Sequence, residues 1–353
     1  MAGGSECSGG WSRRVLGTVL ALLIVWKPPQ AQPGLFDDAE PLAITLSFDF
    51  RTLCRAGADV DCPDTKGTLT YVDRDGADRA MPIWIRARGR WRNVSANCSM
   101  PPLSVIFGDG TEGTVFAGQT MLPLTTHCNE NPAAQEQYVL KELLAYRIYN
   151  ELTDKSFRVR PARVRYELTG RRPRTVERYA FFTEHFDSLA ARNGAQFWPT
   201  ENFDPRTGDV AQLATVELFE FMIGNTDWSL LRGHNIAHLR AADNTVAAVP
   251  YDFDFSGIVN ASYATSQARG VRRVTQRVYR GFCHPGLDWE ALFRRFETER
   301  EPIAALIDRT PALDEAQRSM VRAYVASFYE IIGSPERRQD DIVEECRPLA
   351  GGS

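Results

Sequence analysis

Lysine is the scarcest charged residue in this chain. Only Lys27, Lys66, Lys141 and Lys155 carry an ammonium group, so the basic charge is almost all arginine. A bound phosphate would have to rely mainly on guanidinium groups. Other absences narrow the chemistry further. No C-x-x-C pair occurs, which removes a common zinc spacing. His127, His185, His234 and His238 are candidate zinc ligands, and His234 and His238 stand four apart. However, "HNIAHLR" reads as a strand, and H-E-x-x-H is missing. No G-x-S-x-G elbow supports a serine hydrolase. Asp227 and Asp252 would suit a glycosidase pair, but nothing in the sequence sets their separation. A net charge of −4 offers no surface for nucleic acid, so no nucleic-acid partner is expected.

The composition is that of an ordinary globular protein, 43% hydrophobic and 24% charged, and 353 residues suffice for a sizeable core. Arg13 and Arg14 precede the apolar run 15–26, which is short for a membrane span and suits a secretory leader. Residues 1–31 are therefore expected to be a signal peptide or an N-terminal anchor, with possible membrane association through that segment. The body is expected to be exported, either periplasmic or secreted. Beyond the leader stand Cys54, Cys62, Cys98, Cys128, Cys283 and Cys346, an even set that suggests disulfides. The simplest pairing joins Cys54 to Cys62, Cys98 to Cys128 and Cys283 to Cys346, one of fifteen connectivities.

Short alternating runs over 34–80, such as "LAITLSFDF" and "GTLTYV", predict strands and hairpins. In 81–93, Ile83, Ile85 and Ala87 alternate with Trp84, Arg86 and Arg88. "TMLPLTTHC" predicts a further strand, with Pro123 placing it at an edge or bulge. Apolar spacing of three and four predicts a helix over 133–152 and another over 208–225. Within the first helix, Glu142 points along a face shared with Tyr138, Tyr146 and Tyr149. Strands are predicted at 162–168, 178–185, 234–240 and 245–255, followed by a helical C-terminal third. The expected class is α+β, with a strand-rich part over 34–190 and a helical part over 191–349.

The chemistry concentrates in "GNTDWSLLRGHN" and "VPYDFDFSG". Asp252 and Asp254 lie two apart, so an extended backbone would turn both to one face. Such a pair needs a positive charge between its members. A hard cation such as Mg²⁺ takes oxygen ligands and keeps phosphates in its shell. Asn235 and Asp252 could supply those oxygens, with Asp227 orienting or deprotonating a hydroxyl.

"TDWSLLRGHNI" followed by "VPYDFDFSG" resembles the core of the protein-kinase-like superfamily, most closely the spore-coat-protein-H (CotH-type) atypical secretory kinases. The resemblance implies a two-lobe fold, ATP with Mg²⁺ or Mn²⁺, and phosphate transfer to a hydroxyl of a protein or small-molecule acceptor. It implies that Asp227 is the catalytic-loop aspartate. Asn235 and Asp252 would be the metal ligands, and Asp254 a second ligand or helper. More weakly, "RARGRWRN" resembles part of the first lobe, Glu142 would pair with the cation that positions the nucleotide, and 180–185 would form the adenine edge through its backbone, Phe182 and Glu184. The chain departs from the pattern in three places. Asp227 and Asn235 stand eight apart. The glycine-rich 107–118 reads as a loop, and Pro123 stands where a phosphate-holding lysine would be natural. Arg86 or Arg88 would then have to hold the phosphate. The rival expectation is an inactive, pseudokinase-like binding protein.

Overall fold

The computed structural model describes residues 3, 34–55, 63–73, 75–130 and 134–349. The expected leader or anchor at 1–31, apart from residue 3, and Cys62 lie outside the described residues. No helix among the described residues is long and apolar enough to cross a membrane.

Seven strands open the fold: β1 (Leu42–Asp49), β2 (Thr65–Val72), β3 (Asp78–Ala87), β4 (Leu103–Phe107), β5 (Met121–Thr125), β6 (Val159–Thr169) and β7 (Arg174–Thr183). They join in the order β1-β2-β3-β4-β5-β7-β6 and close into a barrel. Closure comes from β6, which pairs antiparallel with β7 on one side and parallel with β1 on the other, from Leu42↔Ala162 to Asp49↔Thr169. Alternation decides which side chains point inward: Ile44, Leu46, Ile83, Ile85, Val164 and Tyr166 are buried, while Arg86, Arg163 and Arg165 face outward.

The closed mixed barrel overturns the expected two-lobe, protein-kinase-like fold. Alternation predicted most of the strands, but it does not say which strands pair or whether a sheet closes. Pro123 does not mark an edge either, because β5 pairs with β4 and β7. Its missing N–H is tolerated because β7 pairs only with Leu124 and Thr125.

The helix α1 (Ala134–Leu152) lies between β5 and β6 in the chain. It packs into a second core shared with α3 (Val210–Ile223), which follows the short α2 (Phe186–Arg192). A three-stranded sheet of β8 (Ala195–Phe197), β9 (Ile236–Ala241) and β10 (Val246–Pro250) joins this core. So do α4 (Trp289–Thr298), α5 (Arg300–Arg309) and α6 (Glu315–Gly333). Asp209, Asp288 and Asp314 cap α3, α4 and α6 by accepting backbone N–H bonds, each worth about 1 kcal/mol. The described residues from Gly34 onward form one compact unit.

Cys98–Cys128 and Cys283–Cys346 are disulfides, as the simplest pairing expected. Cys54 is also disulfide-bonded. Each bridge stabilises by about 2–4 kcal/mol and indicates an oxidising, exported environment.

Candidate functional site

Two turns and one loop build the site. The first turn begins where Gly224 ends α3 in a left-handed conformation, φ 65°. Asn225 then bends the chain, its Oδ1 accepting the Asp227 N–H at 2.9 Å. Trp228 is buried and anchors the turn by donating Nε1–H to the Asn225 carbonyl. The eight-residue spacing between Asp227 and Asn235 forms a small closed loop, because Ser229 and His234 exchange two backbone hydrogen bonds. That loop brings Asn235 back to Asp227: Asn235 Nδ2 donates to the Asp227 carbonyl at 2.7 Å.

The second turn follows the β9–β10 hairpin. Tyr251 N–H donates to the Asn235 carbonyl at 3.0 Å, so Asp252 emerges beside Asn235. Asp252 is not on a strand, since β10 ends at Pro250. Its backbone is left-handed at φ 63°, and Asn235 is left-handed at φ 54°. Such conformations cost a non-glycine residue about 1–3 kcal/mol and collect at functional sites. The Tyr146 hydroxyl holds the Asp252 turn by accepting its N–H at 2.9 Å.

The missing positive charge is Arg92. Its guanidinium lies 3.3 Å from Asp252, 3.3 Å from Asp254 and 3.7 Å from Glu142. Arg55 and a disulfide secure the loop that carries it. Arg55 donates to the carbonyls of Arg92, Asn93, Cys98 and Ser99, and Cys98–Cys128 ties the loop to the end of β5. Burial opposes the Arg92 charge, yet Asp254, Glu142 and Asp252 around it keep it firmly protonated. Burial also pushes the Glu142 and Asp254 carboxyls above their ordinary range, against the pull of Arg92. Three carboxylates around one guanidinium leave two surplus negative charges if all ionise.

The acids differ in access. Glu142 and Asp254 are buried, and Asp254 also accepts from the Tyr263 hydroxyl. Asp252 keeps 37% of its side chain exposed. Asp227 keeps 25% exposed and pairs through Oδ1 with His234 Nε2 at 2.9 Å. The hydrogen bond to Asp227 raises the His234 pKa.

The structure thus brings together Asp227, Asn235, Asp252, Asp254 and Glu142. Arg88 stands close by: it donates to the Leu103 carbonyl and to Thr125 Oγ1, and its charge acts on Glu142. The remaining predicted residues lie elsewhere. Arg86 forms a two-bonded pair with Asp64 on the outside of β3. Phe182 is buried in the barrel, edge-on to Phe116. Glu184 is buried against Arg192. The β4–β5 turn carries glycines at G-x-G-x-x-G spacing, Gly108, Gly110 and Gly113, and joins two antiparallel strands. It also sits at the opposite end of β4 from the contact between Arg88 and Leu103. His127 and His238 are both buried, and His238 packs on Phe203. Among the described residues, no group of three or more His, Cys, Asp or Glu is arranged to hold a metal.

Arg92 is the residue that sequence reasoning missed, although it lies in the quoted "RARGRWRN". It lies in the turns five residues beyond the end of β3, and nothing in the sequence sets it apart from the other arginines. Comparison of the chain with protein-family models and with curated proteins finds no match. The likeness to CotH-type kinases therefore rests on the quoted sequence motifs alone.

Proposed function

We propose that this site transfers a phosphoryl group from a nucleoside triphosphate to a hydroxyl of a protein or small-molecule acceptor. The observation that carries this reading is the meeting of two separate turns, with Asn235 bonded to Asp227 and its carbonyl holding the residue before Asp252. Asp252 and Asn235 are oxygen donors at the open end of one hairpin. Asn235 commits its Nδ2 to Asp227, which leaves Oδ1 as its ligating atom. The surplus negative charge around Arg92 also suits a divalent cation. A Mg²⁺ held by Asp252 and Asn235, with phosphates completing its shell, would neutralise charge on the transferred group.

The chain's own residues do the rest. Asp227, hydrogen-bonded to His234 and partly open to water, accepts the acceptor's hydroxyl proton. His234 orients that carboxylate. Arg92 stands where a lysine would otherwise pair with Glu142, and it holds Asp252 in place. Phosphoryl transfer asks mainly for such positioning and charge.

The test is calorimetric titration of the full chain with ATP and Mg²⁺, followed by transfer of labelled γ-phosphate to hydroxyl-bearing acceptors. The expected result is binding lost in Asp252→Ala. Asp227→Asn should keep binding and lose at least a hundredfold in transfer. No binding at millimolar ATP would sink the proposal. Binding without transfer in the unaltered chain would favour the non-catalytic reading.

A further inference from the structure

A cavity lies behind the acidic turns, between α1 and α6. It measures about 370 Å³, and Lys141, Ile258, Thr275, Met320, Val321 and Tyr324 line it. Apolar side chains supply most of its wall. Lys141 is its one charged residue. It is only 2% exposed; among the described residues no carboxylate reaches ion-pair distance of it, and the Asp314 charge acts on it from farther off. Its ammonium donates to Gln317 Oε1 at 2.8 Å and lies 5.2 Å from the centre of the Tyr138 ring. An ammonium has three donors, and neither partner supplies a countercharge. A buried cation of this kind is costly unless it is paired.

The nearby guanidinium is already engaged. Arg277 donates to the Met222 carbonyl, to Ser327 Oγ and to the Tyr324 carbonyl, and stacks on the Tyr324 ring. The cavity therefore offers, beside an apolar wall, one positive charge without an ion-pair partner among the described residues. We infer that it binds a small organic monocarboxylate, with the carboxylate on Lys141 and the hydrocarbon tail along Ile258, Met320 and Val321. A single ammonium matches a monoanion better than a phosphate, which gathers several donors. Lys141 carries its charge at neutral pH, since burial lowers its pKa only to about 8.

The cavity also adjoins the acidic turns. Gly257 is part of its wall, and the Tyr324 hydroxyl packs so close to Gly224 and Gly257 that a Cβ at either would meet it at 2.0 or 2.2 Å. A ligand here would rest against the side chain that backs both turns.

Isothermal titration of the full chain at pH 7 with octanoate and with 1-octanol tests the inference. Octanoate is expected to bind at least tenfold more tightly than the uncharged alcohol, and Lys141→Met is expected to remove that preference. Equal binding of the two probes, no octanoate binding at millimolar concentration, or a preference retained in Lys141→Met would overturn it. The comparison of the two probes on the unaltered chain decides the matter even if the variant does not fold.

Discussion

Lys141 and Glu142 are consecutive on α1, both are almost fully buried, and they stand in opposite electrostatic trouble. On the Glu142 side, three carboxylates share one guanidinium. On the Lys141 side, one ammonium has an amide oxygen and an aromatic ring but, among the described residues, no carboxylate at ion-pair distance, only the charge of Asp314 farther off. The sequence places the two charges side by side, yet the helix sends them to different surroundings, and they cannot neutralise each other (i and i+1 do not face one another). A fold selected for stability alone would fill both places with apolar side chains. Each mismatch instead marks a place for a partner, which we propose to be a cation with phosphates on one side and an organic anion on the other.

Breaking the acidic side should have the largest effect. Arg92→Met leaves Asp252, Asp254 and Glu142 without their shared cation. Urea unfolding at pH 7 should show a loss of about 3–5 kcal/mol, the usual cost of removing one partner from a buried ionic cluster. The loss should shrink at pH 5, where the carboxyls can take up protons. A loss of the same size at both pH values would show that Arg92 contributes packing and not charge.

Glu142→Gln sharpens the same side with a smaller effect. Burial raises the folded-state pKa of Glu142 and of Asp254. Raised carboxyls contribute stability below their ordinary range and lose it as pH rises toward the folded-state value. In the absence of divalent cations the unaltered chain should therefore lose stability between pH 5 and 8. The variant should lose less, ending about 1–3 kcal/mol ahead at pH 8. Identical pH slopes for the two proteins would contradict the surplus of negative charge.

How much of this was legible follows from what each signal encodes. Alternation in "LAITLSFDF" and "ARVRYEL" marked β1 and β6, since side chains of period two report a buried face. It could not show that these strands lie side by side and close a barrel, because parallel pairing across more than a hundred residues leaves no local mark. β4 went unmarked because its five residues are nearly all buried and do not alternate. Asp227, Asn235 and Asp252 stood out because polar residues crowd the ends of apolar elements there. Arg92 did not, being one arginine among many. The expectation that Asp252 and Asp254 share a strand face was wrong in geometry and right in consequence. They lie in a turn, one of them with a left-handed backbone, and still face a common cation. Lys141 carries no sign of burial in the sequence, and in the fold it is buried and bonded to Gln317 of α6.

The smallest predicted effect separates the two sides most cleanly. Lys141→Met replaces a lone buried ammonium with an apolar side chain of similar length. At pH 7 the variant should be more stable than the unaltered chain by about 1 kcal/mol, since burying an unpaired charge costs more than the single bond to Gln317 returns. The sign follows from linkage. Burial lowers the folded-state pKa of Lys141 from 10.5 to about 8, so its charged form is penalised only when folded. The unaltered chain should recover stability as pH rises from about 8 toward 10.5, and the variant's advantage should fade over that window. Urea midpoints at pH 7 and pH 10 measure both quantities. An advantage that does not change with pH would mean that shape rather than charge is at work. A destabilised variant would mean that Lys141 earns its place by packing alone, and the case for an anion beside it would weaken accordingly.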